Sequence, residues 1–64
     1  MGRAEKEVLR CLLACWGTEA KDSDITEECY NAGLSDVETH NVKGAYYAAT
    51  TDISRAINEI IDNL

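Results

Sequence analysis

The sequence predicts an all-α fold, a compact bundle of about four short helices with helix-turn-helix-like packing in its middle. Three observations point there. Apolar residues recur at helical spacing, with no polar–apolar alternation lasting beyond a few residues. Cap signals of the form Asp24-x-x-Glu27 and Ser35-x-x-Glu38 precede helical stretches. The chain also contains no proline to break a helix.

The first helix is expected over residues 3–16, closed by Gly17. Val8, Leu9, Leu12, Leu13 and Trp16 share one face, with Cys11 and Cys15 on its flank. That apolar arc covers more than half the circumference, wider than one core-facing stripe needs, so the helix is expected either to lie centrally or also to face a second chain. Residues 17–23 read as a loop. Asp24 then predicts an N-cap and a short helix over residues 25–32, stopped by Gly33. Ser35 caps a third helix running from Asp36 to about residue 49, with Val37, Asn41, Gly44, Ala45 and Ala48 as its inner face. A glycine inside a helix costs about 1 kcal/mol relative to alanine, so a close backbone approach is expected at Gly44. Thr51 predicts the N-cap of a last helix, whose stripe is Ile53, Ala56, Ile57, Ile60, Ile61 and Leu64.

All 64 residues form one domain. A chain this short buries only about 60% of the surface its unfolded form exposes. It has no phenylalanine, one tryptophan and three tyrosines, so the core rests on aliphatic residues, alanine and cysteine. Small cores of this kind usually lean on a disulfide, a metal or a second subunit. Self-association into a homodimer is the expectation, with Leu9, Leu13, Trp16, Ile57 and Ile61 as interface candidates.

The net charge is −6, and seven carboxylates against one lysine fall between Glu19 and Glu38. A segment this acidic repels phosphate backbones and favours basic protein surfaces. The same charges also serve to solvate a small protein. The three cysteines follow no secretory signal, and the apolar run over residues 8–16 is too short to span a membrane and holds Arg10. Reduced thiols, a cytoplasmic location and no membrane association are therefore expected. Lys6 stands where a myristoylation signal needs Ser or Thr.

Four ligand-type residues raise the question of zinc: Cys11, Cys15, Cys29 and His40. Structural zinc sites open on a tight cysteine knuckle. Cys11 and Cys15 lie instead in mid-helix, so buried core cysteines are the expected role and no metal or cofactor is predicted. His40 has polar neighbours and no nucleophile at a suggestive spacing, so no catalytic site is expected. An EF-hand register over Asp22, Asp24 and Glu28 puts Cys29 where a bidentate carboxylate belongs, and fails. Ser35 could be taken for the serine of an acyl carrier, but its role as an N-cap accounts for it.

Residues 24–37 lay out a short helix, a glycine turn and a capped second helix, the order of a helix-turn-helix. With Glu5-Lys6-Glu7-Val8-Leu9-Arg10 and Val37-Glu38-Thr39-His40, the chain resembles LuxR/GerE-type DNA-binding domains at scattered positions, a likeness that transfers no functional residue. Charge opposes DNA: the second helix would offer Lys43 against Asp36 and Glu38, whereas DNA affinity rests on Lys and Arg at phosphates.

The expected function is thus a non-enzymatic helical protein-interaction and regulatory module. Its acidic surface, Asp22, Asp24, Glu27 and Glu28, would bind a basic protein partner. The alternative is a small helix-turn-helix transcriptional regulator using Arg3, Lys6, Arg10, His40 and Lys43.

Overall fold

Caps and glycines divide the chain into three helices. In the computed structural model these are α1 (Arg3–Trp16), α2 (Asp22–Asn31) and α3 (Asp36–Asp62). It describes residues 1–63, apart from the side chain of Ser54. The fold is all-helical, with no strand among the described residues. The helix count differs from the expected four because the third and fourth predicted segments are one helix.

Helix α1 has its predicted bounds. Gly2 is the N-cap, its N–H donating to Glu5 Oε1 at 3.0 Å. Gly17 ends the helix at φ 58°. Helix α2 starts three residues earlier than predicted. Asp24 is not the N-cap: its Oδ2 accepts the Lys21 N–H at 2.9 Å, making Lys21 the cap and Asp24 the third helical residue. Gly33, at φ 79°, closes α2 as expected. Gly33 N–H donates to Tyr30 O and Leu34 N–H to Cys29 O, both at 3.0 Å. This is a Schellman motif, and Leu34 and Cys29 supply its apolar contact inside the core.

The predicted capping box opens α3. Ser35 Oγ accepts the Glu38 N–H at 3.2 Å and Glu38 Oε1 accepts the Ser35 N–H at 3.1 Å. The helix then runs 27 residues, about 40 Å at the usual rise, and sets the long dimension of a 44 × 19 × 16 Å molecule. The expected break at Thr51 does not occur. Residues 45–62 hold neither glycine nor proline, and Thr50 Oγ1 donates to Tyr47 O at 3.3 Å. That bond satisfies the hydroxyl of Thr50, the residue before the predicted cap, inside the helix.

Val8, Leu12, Ala20, Ile25, Cys29, Leu34, Val42 and Tyr46 form the core, with Leu9 and Leu13 packed against it. Its α3 face is not the small-residue stripe the sequence suggested. Val37 is 72% exposed, and a Cβ added at Gly44 would meet nothing within 4 Å. Asn41 and Ala48 are also exposed and Ala45 only half-buried, while Thr39, Val42, Tyr46 and Thr50 point inward. Tyr46 explains the choice: an aromatic ring buries far more apolar area than alanine or glycine, provided its hydroxyl finds partners. It finds two, donating to Gly17 O at 2.7 Å and accepting from Ala20 N–H at 3.0 Å.

The cysteines divide. Cys29 is fully buried, as expected, but Cys11 and Cys15 are exposed. Val8 and Leu12 already fill the core side of that helix.

Candidate interaction surfaces

Two surfaces stand out, both set by how little of α3 the other helices cover. Helices α1 and α2 pack on its first half. Asp22, at the start of α2, reaches Lys43 and Tyr47 in the middle of α3, and Gly17, at the end of α1, holds Tyr46. Beyond Thr50, every residue whose side chain is described is exposed. This second half of α3 is a stalk of about 18 Å. On it Ile53, Ile57, Ile60 and Ile61 are 46–64% exposed. Leu64, the last residue of the predicted stripe, lies outside the described residues.

The interface candidates separate accordingly. Ile57 and Ile61 lie on the stalk, together with Ile53 and Ile60 of the same predicted stripe. Leu9 and Leu13 pack against the core, whereas Trp16 at the end of α1 stays 39% exposed.

The second surface is α2. Its ten residues contain Asp22, Asp24, Glu27 and Glu28 and no basic residue. Asp22 is engaged with Lys43 Nζ at 3.1 Å and Asp24 with the Lys21 N–H. Glu27 and Glu28 are exposed and form no ion pair among the described residues. Glu28 also stands at a cleft of about 350 Å³ between α1 and α2, lined by Glu7, Val8, Cys11, Glu28, Asn31 and Ala32. The cleft arises because the first half of α1 lies beside the last turn of α2, a packing that nothing in the sequence pattern announces.

Lys43, counted among the DNA-contacting candidates, is held at Asp22. Arg10 lies 3.6 Å from Glu7. Arg3 and Lys6 are exposed on α1, and His40 on α3. Tyr30 donates to Asp36 Oδ1 at 2.8 Å, and that carboxylate holds its phenol above the ordinary value. Burial pushes the Cys29 thiol up, with Thr39 and Lys43 opposing in part.

The four zinc-type residues are not assembled. Cys29 is in the core while Cys11 and Cys15 are exposed, and no group of three His, Cys, Asp or Glu side chains fit to hold a metal occurs among the described residues. Among the same residues no helix is long and apolar enough to cross a membrane. Comparison with protein-family models, curated proteins and solved structures gives no match.

Proposed function

We propose that this chain is a non-enzymatic helical interaction module, dimeric, that uses the acidic surface of α2 to bind and regulate a basic protein partner. One observation carries the reading: α2 presents four carboxylates with no basic residue of its own, and only Asp22 is ion-paired. Two of the four carboxylates are better supported as binding candidates than the others. Asp22 and Asp24 are engaged within the fold, which leaves Glu27 and Glu28 for a partner. Glu28 and Glu7 line a cleft together with Val8, Cys11, Asn31 and Ala32. A lysine or arginine from the partner suits such a place, with its stem on the apolar lining and its charged head at the carboxylates.

The alternative keeps α2, the Gly33 turn and α3 as a helix-turn-helix in a small transcriptional regulator. The Schellman turn leading directly into a capped helix favours it. Its charge does not, since Lys43 is committed to Asp22.

Affinity capture on immobilised protein, comparing wild type with Glu27→Gln/Glu28→Gln, separates the two. The proposal expects a retained protein that is lost on neutralisation and released by salt. Retention of every captured protein by the double variant overturns it. A gel shift with random duplex at low salt tests the alternative, for which retardation at micromolar protein is expected and is abolished by Arg3→Ala/Lys6→Ala.

A further inference from the structure

The isoleucines of the stalk continue the face of α3 that builds the core. At 100° per residue, Val42, Tyr46, Ile53, Ile57 and Ile60 fall within an arc of about 60°, and Ile61 lies about 40° beyond it, next to Ile57. Val42 and Tyr46 are covered by α1 and α2, being 0% and 1% exposed, while the isoleucines further along the same line are about half exposed. The charged residues of the stalk, Asp52, Arg55, Glu59 and Asp62, all lie about 100° or more from the centre of that line. An apolar stripe with an uncharged border thus runs off the end of the body with none of the described residues packed upon it.

We propose that the stalk pairs with the stalk of a second copy, antiparallel, about a two-fold axis through Ile57. This rests on the dimeric reading above and gives it a seat and a direction. A second copy suits the face because apolar meets apolar and no carboxylate of either acidic chain enters the seam. The basic partner proposed for α2 would find no counter-charge here.

Direction follows from where the bodies sit. Helices α1 and α2 cover Val42 and Tyr46, so they occupy the stripe side of α3. Two parallel stalks facing each other by their stripes would place both bodies in the same space between the two long helices. Reversing one copy removes the collision, and each body then lies beyond the end of the other's stalk. Ile57 meets its own symmetry mate and Ile53 lies opposite Ile61, an isologous contact.

Area bears on direction too. A strip about 18 Å long and 10 Å wide on each copy is well under the ~800 Å² per partner of a standard interface, so the stripe alone makes a weak seam. In the antiparallel pair the tip of each stalk also reaches the other body near the root of its own stalk. Trp16 stands there, 39% exposed and adjacent to Gly17, whose carbonyl holds Tyr46.

Sedimentation equilibrium and distance measurement between spin labels test this on the whole chain, without any partner. Wild type is expected to be a dimer at about 100 µM, in the range such small interfaces reach. Ile57→Asp, which buries a charge at the axis, is expected to weaken association at least ~100-fold. Arg55→Ala, on the opposite face, is expected to leave it unchanged. Circular dichroism checks that the body persists in each variant. A label on His40→Cys, in a Cys11→Ser/Cys15→Ser background, is expected to report about 50 Å between subunits, from two lengths of 17 residues along the axis. A parallel pair would give less than about 30 Å, since adjacent helices pack 8–10 Å apart. A monomeric wild type, an undiminished Ile57→Asp dimer or the short distance each overturns the proposal. None of these readouts depends on Glu27 or Glu28, so this pairing and the partner-binding reading can fail independently.

Discussion

The hydroxyl of Tyr46 donates to the carbonyl of Gly17 across 29 residues of chain, at 2.7 Å. The same oxygen accepts the buried Ala20 N–H at 3.0 Å. One side chain of α3 therefore satisfies both polar groups of the α1–α2 loop that face the interior, and its ring fills the core beneath them.

Tyr46→Phe removes that oxygen and leaves the ring. The Ala20 N–H is then buried without an acceptor, and an unsatisfied buried group costs about 1–3 kcal/mol. For a domain this small the expected loss is a large part of total stability. Urea unfolding followed by circular dichroism measures it. A loss under 0.5 kcal/mol, roughly the scale of an ordinary surface substitution, would show that the loop is held by other means.

Two glycines are expected to respond in opposite directions to alanine. Gly33 sits at φ 79° in the Schellman turn, a conformation costing an L-residue about 1–2 kcal/mol, so Gly33→Ala destabilises by about that amount. Gly44 is helical and exposed, and an added Cβ touches nothing. Gly44→Ala should therefore stabilise by about 0.5–1 kcal/mol through helix propensity and a more restricted unfolded chain. Thermal melts of both variants against wild type decide it. Destabilisation at Gly44 would restore the close helix approach that its sequence context suggested.

The contrast between these glycines shows where sequence was informative. Features determined within a few residues were legible: the bounds of α1, the Gly33 stop and the Ser35–Glu38 box each depend on neighbours along the chain. Features determined by tertiary partners were not. Choosing the Val42–Tyr46 face over the small-residue face requires knowing that Gly17 and Ala20 will stand above Tyr46. The continuity of α3 was hidden because Thr50-Thr51-Asp52 resembles a cap, while the hydroxyl bond that keeps Thr50 helical is invisible in one dimension. The acidic run was plain, yet which carboxylates stay unengaged depended on the reach of Lys43.

Thiol chemistry should separate the cysteines. Cys11 and Cys15 are exposed and Cys29 is buried, so an aromatic disulfide reagent at pH 8 is expected to titrate two thiols in the folded protein and the third only on unfolding. The raised Cys29 thiol has a consequence for stability. Its folded pKa lies above the unfolded value of about 8.5, so its contribution is complete below that pH and is lost as pH rises towards the folded value. Cys29→Ala should flatten the alkaline fall in stability just above pH ~8.5. A wild-type curve that stays flat from pH 8 to 10 would contradict the assignment.

The acidic surface yields the prediction that separates binding from folding. Glu27 and Glu28 are exposed and form no ion pair among the described residues, so Glu27→Gln/Glu28→Gln should change unfolding free energy by no more than about 0.5 kcal/mol. Asp22→Asn differs because it gives up the 3.1 Å pair with Lys43, an exposed contact typically contributing about 0.2–1 kcal/mol. Asp24→Asn weakens the acceptor that holds the first turn of α2 at the Lys21 N–H, and it removes a negative charge from the positive end of that helix dipole, together costing up to about 1 kcal/mol. Loss of a partner in either Asp22 or Asp24 variants therefore mixes folding with recognition, whereas loss in the Glu27/Glu28 variant reports recognition alone. Measuring unfolding and capture on the same three proteins gives the ordering. If the Glu27/Glu28 variant proved the least stable of them, those carboxylates would have a structural role and the acidic face of α2 would lose its claim as a binding surface.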